Sequence, residues 1–399
     1  MRLSMHRIWA DALLVFATAS VMHVVQHGHL GRVSLSFGKS EPVTGQGDTK
    51  ASREDRDQLT ESAPEIGPDI YFASHVSRKR SVHRDRLLYD ASEHSFGIVA
   101  DLDRDSRDPQ KFLWRSYLKK GRLARDFVTG KFSVEWSETL ELASKTANEN
   151  RSMELSELVR FGRMLLAPCD ITGLIWKIVP ESGQVFQRFA VADGSGDFSK
   201  PAKMEWATVK DDALWVGSPG LEWITPEGKL LHRNAEWVKT IDSNGMITNY
   251  NWGPVYQALR TAAKATFPGY LWHEAVHWDP RTRKWIFLPR KRSVHDQYDP
   301  VSDAEKGTNL LIIADEHFQN ISVSEIGPLD PLYGFTSVRK VPGTEDLYMA
   351  LKVKEIERAD VRQTHTVLTV FDLSGNFHTS PPFIEVGDLK FEGLEFLHD

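Results

Sequence analysis

From Phe96 onward, short apolar runs alternate with polar turns along the chain. The runs are rich in Trp, Phe, Tyr, Val and Ile, as in "FGIVADL", "FSVEW", "KWIFLP" and "DLYMALKV". Runs of this kind, bounded by turn residues, are typical of β-strands. Helical periodicity is scarce, and residues 256–265, "YQALRTAAKA", are the best helix candidate. The pattern therefore predicts an all-β chain.

One local pattern recurs: an acidic or hydroxyl residue opens a short apolar run, a polar turn follows, and a second apolar run returns. Its five copies begin at residues that we call the openers, Ser156, Glu205, Glu274, Thr336 and Glu392. Successive openers are 49, 69, 62 and 56 residues apart, which suits blades of four strands. The fifth copy stops after one run, so its partner strands must come from the N-terminal side. We predict a five-bladed β-propeller closed by an N-terminal strand, with a large β-sandwich as the alternative.

The N-terminal residues carry a different pattern, in which basic residues precede the apolar run "ALLVFATASVM" (12–22). This run is shorter than the roughly 20 residues of a membrane helix and suits a signal peptide. We predict a signal peptide or uncleaved signal-anchor over residues 1–26, with an N-terminal helix of a cytosolic protein as the alternative. The polar residues 27–85 are expected to form a largely disordered linker, and residues 86–399 the propeller.

This N-terminal pattern predicts entry into the secretory pathway. The protein is then secreted, or lumenal in the endoplasmic reticulum or Golgi, and it is a type II membrane protein if the segment remains as an anchor. Two N-x-[ST] sequons, at Asn150 and Asn320, agree with that location.

Composition narrows the chemistry. The chain has 399 residues, of which 41% are hydrophobic, and a formal net charge of −6. That balance gives no electrostatic footprint for a nucleic-acid partner. The single cysteine, Cys169, excludes an internal disulfide or a cysteine-built metal site, and we expect a buried, inert thiol. No P-loop pattern G-x-x-x-x-G-K-[ST] occurs.

The segment "YLWHEAVHWDP" contains His273, Glu274 and His277 in an H-E-x-x-H arrangement. On a helix, this spacing places two imidazoles on one face for zinc. Here the motif lies in a repeat whose other copies predict strands, and Pro-Gly and Asp-Pro pairs flank it. On a strand the two histidines lie too far apart for one ion. We therefore predict a strand without a zinc site.

The innermost strands of a propeller face a central channel, so equivalent positions of the five blades converge there. Three of the openers are glutamates, which would repel each other in a channel unless a cation lay among them. An all-oxygen ligand set favours a hard cation, and a flexible ring suits Ca²⁺. The alternative is that the openers are polar strand starts facing solvent. Asp101 and Asp103, after "IVA", share one face of a strand end. They are expected to hold a water or approach a metal, with a merely solvated strand end as the alternative.

Many ordered motifs between about Phe96 and Phe396 resemble those of the calcium-activated nucleotidase family of apyrases. They are "VADLDRDSR", "WRSYLKKG", "MELSELVRF", "DITG", "DGSG", "KMEWATVKDDALWVG", "NWGPVYQALR", "PGYLWHEA", "WIFLPRK", "KGTNLLI", "GFTSVRKVP" and "KFEGLEF". The resemblance implies a five-bladed propeller with Ca²⁺ in its channel. It also implies Ca²⁺-dependent hydrolysis of nucleoside di- and triphosphates, such as UDP, GDP and ADP, to monophosphate and inorganic phosphate. Family members can form calcium-dependent homodimers.

The resemblance also implies roles for individual residues. Asp101 and Asp103 correspond to the family's essential acidic motif, and Arg290 lies in a segment that lines the nucleotide site. The implied calcium ligands are the five openers, Ser156, Glu205, Glu274, Thr336 and Glu392. We expect water to attack the terminal phosphoryl group, with Asp103 or Asp101 as its base.

Two departures from the family pattern are present. Thr336 stands where Ser is common, and either hydroxyl suits the metal. Cys169 stands where an acid often precedes Asp170, which leaves the role of the Asp170 loop open. Trp206 and Trp223 are candidates for stacking on the base, with core packing as the alternative. The competing class of function is a non-catalytic, calcium-stabilised propeller that binds a ligand.

Overall fold

The computed structural model describes residues 93–300, 302–358 and 361–397. The predictions made for residues 1–85 lie outside the described residues. The strands are β1 (Glu93–Ala100), β2 (Trp114–Arg125), β3 (Phe132–Ser144), β4 (Val159–Phe161), β5 (Met164–Pro168), β6 (Leu174–Val179), β7 (Gln184–Ala190), β8 (Trp206–Lys210), β9 (Ala213–Gly217), β10 (Trp223–Ile224), β11 (Leu230–His232), β12 (Trp237–Ile241), β13 (Ile247–Asn251), β14 (Tyr270–Asp279), β15 (Lys284–Ser293), β16 (Leu310–Asp315), β17 (Ile321–Glu325), β18 (Tyr333–Lys340), β19 (Leu347–Arg358), β20 (Val361–Asp372), β21 (Ile384–Gly387) and β22 (Phe391–Phe396).

Five four-stranded antiparallel sheets form the five blades of a β-propeller. From the innermost strand outward they are β4-β5-β6-β7, β8-β9-β12-β13, β14-β15-β16-β17, β18-β19-β20-β21 and β22-β1-β2-β3. A separate two-stranded sheet joins β10 and β11. The predicted propeller is therefore confirmed, and the alternative of a β-sandwich is wrong.

The fifth blade takes its strands from both ends of the described chain. Strand β22 pairs antiparallel with β1, so that Phe96 faces Phe396 and Ile98 faces Leu394 across the ladder. These side chains are buried and belong to one apolar cluster that continues into the neighbouring blade. The N-terminal strand thus closes the ring, as the incomplete fifth repeat predicts.

The apolar character of the strands follows their distance from the axis. Strand β14 is buried along nearly its whole length, whereas the outer strand β17, "ISVSE", is mostly exposed. An inner strand has neighbouring blades on its sides and the channel at its edge, so it takes apolar residues at consecutive positions. This gradient explains why inner strands give long apolar runs and outer strands give weak ones.

A single α-helix, α1 (Gly253–Ala262), occurs within the described ranges. Pro254 stands in its first turn, where the missing N–H costs nothing. The predicted helix 256–265 is confirmed, with both ends displaced three residues towards the N-terminus. Across the described residues, no helix combines the length and the apolar character that a membrane span requires.

Candidate functional site

The five openers lie where the innermost strands begin. Ser156 lies three residues before β4 and Glu205 immediately before β8, while the other three openers lie within β14, β18 and β22. All five are at most 3% exposed. The alternative in which they are strand starts facing solvent is therefore wrong.

Backbone irregularities explain the orientation of three openers. The ladder between β14 and β15 skips Glu274, that between β18 and β19 skips Thr336, and that between β22 and β1 skips Glu392. A β-bulge adds one residue to one strand and re-aims its side chain. The same device thus recurs at equivalent points of three blades.

Electrostatic coupling shows that the glutamate openers are close together. Burial raises the pKa of Glu205 to about 8; Lys203 opposes this shift, and the carboxylate of Glu274 reinforces it. Burial also raises the pKa of Glu392, with Lys390 opposing and Glu274 reinforcing. Glu205 and Glu392 thus both interact electrostatically with Glu274 in a buried environment.

The two hydroxyl openers connect neighbouring strands. The Ser156 Oγ donates to the carbonyl of Met204 at 2.5 Å, and the Thr336 Oγ1 donates to the carbonyl of Phe391 at 3.1 Å. Met204 and Phe391 each precede a glutamate opener. The hydroxyl oxygens consequently face the same region as the carboxylates.

Arg290, on β15, contacts the openers directly. Its Nη1 donates to both oxygens of Glu274, at 2.8 and 2.9 Å, and to Glu392 at 2.9 Å. Its Nη2 donates to Glu355 at 2.7 Å. Gly334 permits this position, because a Cβ there would lie 2.3 Å from the Arg290 carbonyl oxygen and 2.5 Å from its Cγ.

Asp101 and Asp103 follow β1 and adjoin the openers through Lys390. The Lys390 Nζ lies 2.6 Å from Asp101 and 3.2 Å from Asp103, and its distance to Glu392 is 3.5 Å. Asp101 is 2% exposed, so it is not a merely solvated residue. The Asp103 carboxylate is 24% exposed and is the accessible member of the pair.

The backbone holds the two aspartates in different roles. Asp103 has a φ of 47°, a left-handed conformation that costs a residue other than glycine energy. Its N–H donates to the Asp101 Oδ1 at 2.8 Å, and the Asp101 N–H donates to the carbonyl of Lys390 at 2.8 Å. Asp101 therefore fixes the turn that presents Asp103.

Glu154 completes a second acidic group with the two aspartates. One carboxylate oxygen from each of Asp101, Asp103 and Glu154 lies within 4.8 Å of the others. Burial, followed by the charge of Asp101, raises the pKa of Glu154 to about 8 despite its hydrogen bonds from Arg151. The sequence analysis did not identify Glu154.

The Asp170 loop also reaches the site. Lys203 Nζ lies 2.5 Å from Asp170 and 2.7 Å from Glu205, which joins that loop to an opener. Its neighbour Cys169 is buried, and burial raises the pKa of the thiol to about 12. The thiol is therefore protonated at neutral pH, in agreement with the predicted inert residue.

Site residues that the sequence analysis did not identify share one position in the repeat. Two residues before each opener, the chain carries Glu154, Lys203, Trp272, Gly334 and Lys390. Four of these side chains touch the site, and the glycine leaves room for Arg290. Residues two apart on an extended chain share a face. The two-residue period of a strand, counted back from each opener, therefore identifies these positions.

The chemistry of the site fits a divalent cation bound by oxygen. The site contains four cationic side chains, those of Arg151, Lys203, Arg290 and Lys390. They face eight carboxylates: Asp101, Asp103, Glu154, Asp170, Glu205, Glu274, Glu355 and Glu392. Burial is the main cause of the raised pKa values of Glu154, Glu205 and Glu392, and neighbouring carboxylates add to it. Carboxylate and hydroxyl oxygens without His or Cys are ligands for a hard cation such as Ca²⁺.

Aromatic side chains lie beside the carboxylates. The Trp272 Nε1 donates to the Glu274 Oε1 at 2.8 Å. The Trp272 ring centroid is 5.5 Å from that of Tyr298, and the Trp223 centroid is 6.3 Å from each. These three rings are only partly buried, whereas Trp206 is fully buried and packs in the core. Trp206 is therefore wrong as a stacking candidate, and Trp223 retains that possibility.

The H-E-x-x-H segment forms part of strand β14, as predicted. Both His273 nitrogens are buried without a hydrogen-bond partner, and the ring packs 5.4 Å from the rings of Tyr256 and Phe287. Burial lowers the pKa of His273, and likewise that of His277, to about 3. The two histidines are therefore neutral. They do not contribute to the site that Glu274 forms with the other openers.

Together, the fold and the site define a five-bladed propeller with a carboxylate-rich site along its innermost strands. The family model named "Apyrase" matches residues 102–397, so the chain belongs to the apyrase family. It is 39% identical over 306 residues to the soluble calcium-activated nucleotidase 1 of Mus musculus, covering 76% of this chain and 74% of that protein. An apyrase of Cimex lectularius is 37% identical over 306 residues, covering 75% and 82%.

A third relative is an apyrase of Phlebotomus duboscqi, 33% identical over 307 residues, which covers 76% of this chain and 88% of that protein. Among solved structures, one of a nidogen–laminin complex covers 76% of this chain and 97% of its own at 6% identity, with a TM-score of 0.36. That likeness is too remote to bear on function.

Proposed function

We propose that this protein is a calcium-dependent hydrolase of nucleoside di- and triphosphates, releasing inorganic phosphate and a nucleoside monophosphate. The observation that carries the proposal is the junction at Lys390. Its ammonium contacts the Asp101/Asp103 pair and also Glu392, one of the glutamate openers. The names of the relatives, nucleotidase and apyrase, agree with this activity.

We assign calcium binding to the openers Ser156, Glu205, Glu274, Thr336 and Glu392. Bound Ca²⁺ polarises phosphate oxygens and offsets charge on the carboxylates. The mouse relative is named for activation by calcium, and the oxygen donors of the openers suit that ion.

Asp103 is the proposed general base. It is the more exposed member of the aspartate pair, so a water can reach it, and its carboxylate lies 3.2 Å from the Lys390 ammonium. Asp101 is a positioning residue, because it accepts the Asp103 N–H and is itself buried. The Asp103 carboxylate takes a proton as the water oxygen attacks the terminal phosphorus, and the bond to the bridging oxygen breaks.

Arg290 and Lys390 are the proposed groups that neutralise negative charge. Burial works against the charged forms, but neighbouring carboxylates hold the pKa of both side chains well above its usual range. Both are therefore cations throughout the working pH range. Fixed cations in a dry site stabilise the charge that develops on the leaving phosphate. Arg290 also holds Glu274 and Glu392 in one orientation.

The aromatic group of Trp223, Trp272 and Tyr298 is the proposed platform for the base. It adjoins Glu274 through the Trp272 indole, so a nucleotide whose phosphates lie at the carboxylates can extend its base towards these rings. Stacking on aromatic faces accepts any base. This agrees with a substrate range that includes UDP, GDP and ADP.

We place the enzyme in the secretory pathway, on the basis of the N-terminal apolar run and the two sequons. Retention of that run as a type II anchor, and a calcium-dependent homodimer, remain proposals that rest on the sequence pattern and on the resemblance.

A phosphate-release assay tests the proposed function. UDP, GDP, ADP, the matching triphosphates and the matching monophosphates are offered to the purified protein with Ca²⁺ or with EGTA. We expect release from the di- and triphosphates in Ca²⁺ alone. Absence of release from every nucleotide in Ca²⁺, by protein that is folded and binds the ion, would replace the hydrolase with the non-catalytic binding module.

A further inference from the structure

A cavity of about 180 Å³ lies in the blade formed by β18–β21. It is lined by Pro328, Asp330, Tyr333, Lys352, Val367 and Phe383. None of these residues belongs to the site described above. The volume is close to that of a cavity that accepts benzene, about 150 Å³.

Lys352, on β19, is the polar group inside this cavity. The residue is 2% exposed, and its Nζ lies 4.6 Å from the ring centroid of Phe335 and 5.8 Å from that of Phe383. Within the part of the chain that the structure describes, no oxygen atom accepts a hydrogen bond from this ammonium, and no carboxylate forms an ion pair with it. Ring faces are thus its nearest partners.

The other deeply buried lysines of the propeller have oxygen partners. Lys239 Nζ donates to the carbonyl of Gly194 at 2.5 Å, and Lys390 binds carboxylates. A buried charge without such a partner costs considerable free energy. Lys352 is therefore exceptional among them.

Packing does not account for a lysine at this position. Its ladder neighbours are the apolar Phe335 and Val367, so a Leu or Met would fill the space without a charge. Burial lowers the pKa of Lys352 to about 8, and Asp330 opposes that shift. At neutral pH the side chain is still mostly a cation.

We propose that this cavity binds a small apolar monocarboxylate, whose acid group pairs with Lys352 and whose hydrocarbon part lies against Pro328, Val367 and Phe383. A single buried cation suits a single negative charge. Asp330 is exposed at the rim of the cavity, where its carboxylate repels a second negative charge on a ligand. Phosphate and nucleotides are therefore poor ligands for this cavity. The ligand supplies the oxygen partner that Lys352 lacks in the protein alone.

Benzoate is the probe for this site, because its ring matches a cavity of this size. Binding to the full chain is measured by calorimetry in Ca²⁺, with Lys352→Met as the test variant and Lys284→Met, at an exposed position on β15, as its control. We expect millimolar or tighter binding to the parent and to Lys284→Met. The Lys352→Met affinity should fall by about tenfold or more, since hydrogen bonds between charged groups are lost.

A comparison of ligands on the parent protein keeps the test valid if Lys352→Met fails to fold. Benzyl alcohol has the ring without the charge, and acetate has the charge without the ring. Benzoate should bind about tenfold or more tightly than either. Equal affinity for benzyl alcohol, undiminished binding of benzoate to Lys352→Met, or no binding of millimolar benzoate to the parent would each overturn the proposal.

Discussion

The ammonium of Lys390 lies 2.6 Å from a carboxylate oxygen of Asp101, so the residue just before the last strand, β22, is paired with the residue just after the first strand, β1. The same side chain is 6% exposed and lies 3.5 Å from Glu392. The acidic pair and the openers are thus one electrostatic unit. Removal of the charge at position 390 should therefore affect both the acidic pair and the openers.

Lys390→Met should lower kcat by about 10²-fold, because one fixed donor to the reacting phosphate is lost. It also leaves Asp101 buried without its cation, which costs about 3 kcal/mol of unfolding free energy. Lys390→Arg keeps the charge and should recover most of the kcat and most of the unfolding free energy. Steady-state kinetics and urea unfolding measure the two effects. A folded Lys390→Met protein with parental kcat would remove this residue from the mechanism.

Asp103→Asn should reduce kcat by about 10²–10⁴-fold, which is the usual contribution of a general base. The amide keeps the shape of the side chain but accepts no proton. KM should change less than kcat, because the base acts mainly in the transition state. Asp101→Asn should have a smaller effect on kcat and a larger one on thermal stability, as expected of a buried positioning residue. Parental kcat in folded Asp103→Asn would transfer the role of the base to another carboxylate, with Asp170 the first to test.

Glu205→Gln, Glu274→Gln and Glu392→Gln should each weaken Ca²⁺ binding by about tenfold or more, since affinity depends on the charge of the ligand set. Calorimetry and calcium-dependent melting report the loss, because an ion that binds only the folded state stabilises it. EGTA should abolish turnover, and Mg²⁺ or Zn²⁺ should restore little of it. His277→Ala is the control and should retain calcium binding. Three Gln variants with unchanged calcium titrations would exclude these glutamates as ligands.

Trp223→Leu should raise KM for nucleotides by roughly 5- to 150-fold, as expected when stacking worth about 1–3 kcal/mol is lost. Inorganic pyrophosphate has no base, so its inhibition constant should stay unchanged. Phe186→Leu, at an exposed aromatic residue of another blade, is the matched control. If pyrophosphate and nucleotides weaken equally, Trp223 supports the carboxylates and not the base.

Ionisation of Asp279 should make part of the unfolding free energy depend on pH in the acid range. Burial opposes its ionisation, but Lys340, Thr282 and the N–H of Arg281 lower its pKa from 3.8 to about 2. The stabilisation is complete above pH 3.8 and is lost as the pH falls through 2. At about 1.36 kcal/mol per pKa unit, it amounts to about 2 kcal/mol.

Urea unfolding in EGTA between neutral pH and pH 2 measures this contribution. Asp279→Asn should be less stable by about 3 kcal/mol at neutral pH, because Lys340 loses its buried partner, and the difference should shrink in acid. Asp212→Asn, at an exposed turn position, should follow the parent. A constant difference across the pH range would contradict the assigned ionisation.

The sequence predicts the fold and the five openers because both depend on local patterns that recur. It does not predict that Arg290 faces Glu274 and Glu392, because that contact requires the bulge in β14 and the absence of a side chain at Gly334. Lys203 and Lys390 resemble ordinary surface charges until their neighbours are known. Lys203 pairs with Asp170 of the preceding blade and Lys390 with Asp101 of its own blade, at sequence separations that no local pattern spans.

The closure of the fifth blade has a consequence for the order of folding. Strand β1 meets β22 only after about 290 intervening residues have been synthesised, and contacts this distant in sequence form slowly. Until then, β1 presents an unpaired edge, which can pair with other chains. A nascent chain that ends before Phe391 lacks Lys390's neighbouring opener as well as the strand that covers this edge. We therefore expect translation stalled at this point to yield aggregation-prone, inactive chains, however complete the first four blades are.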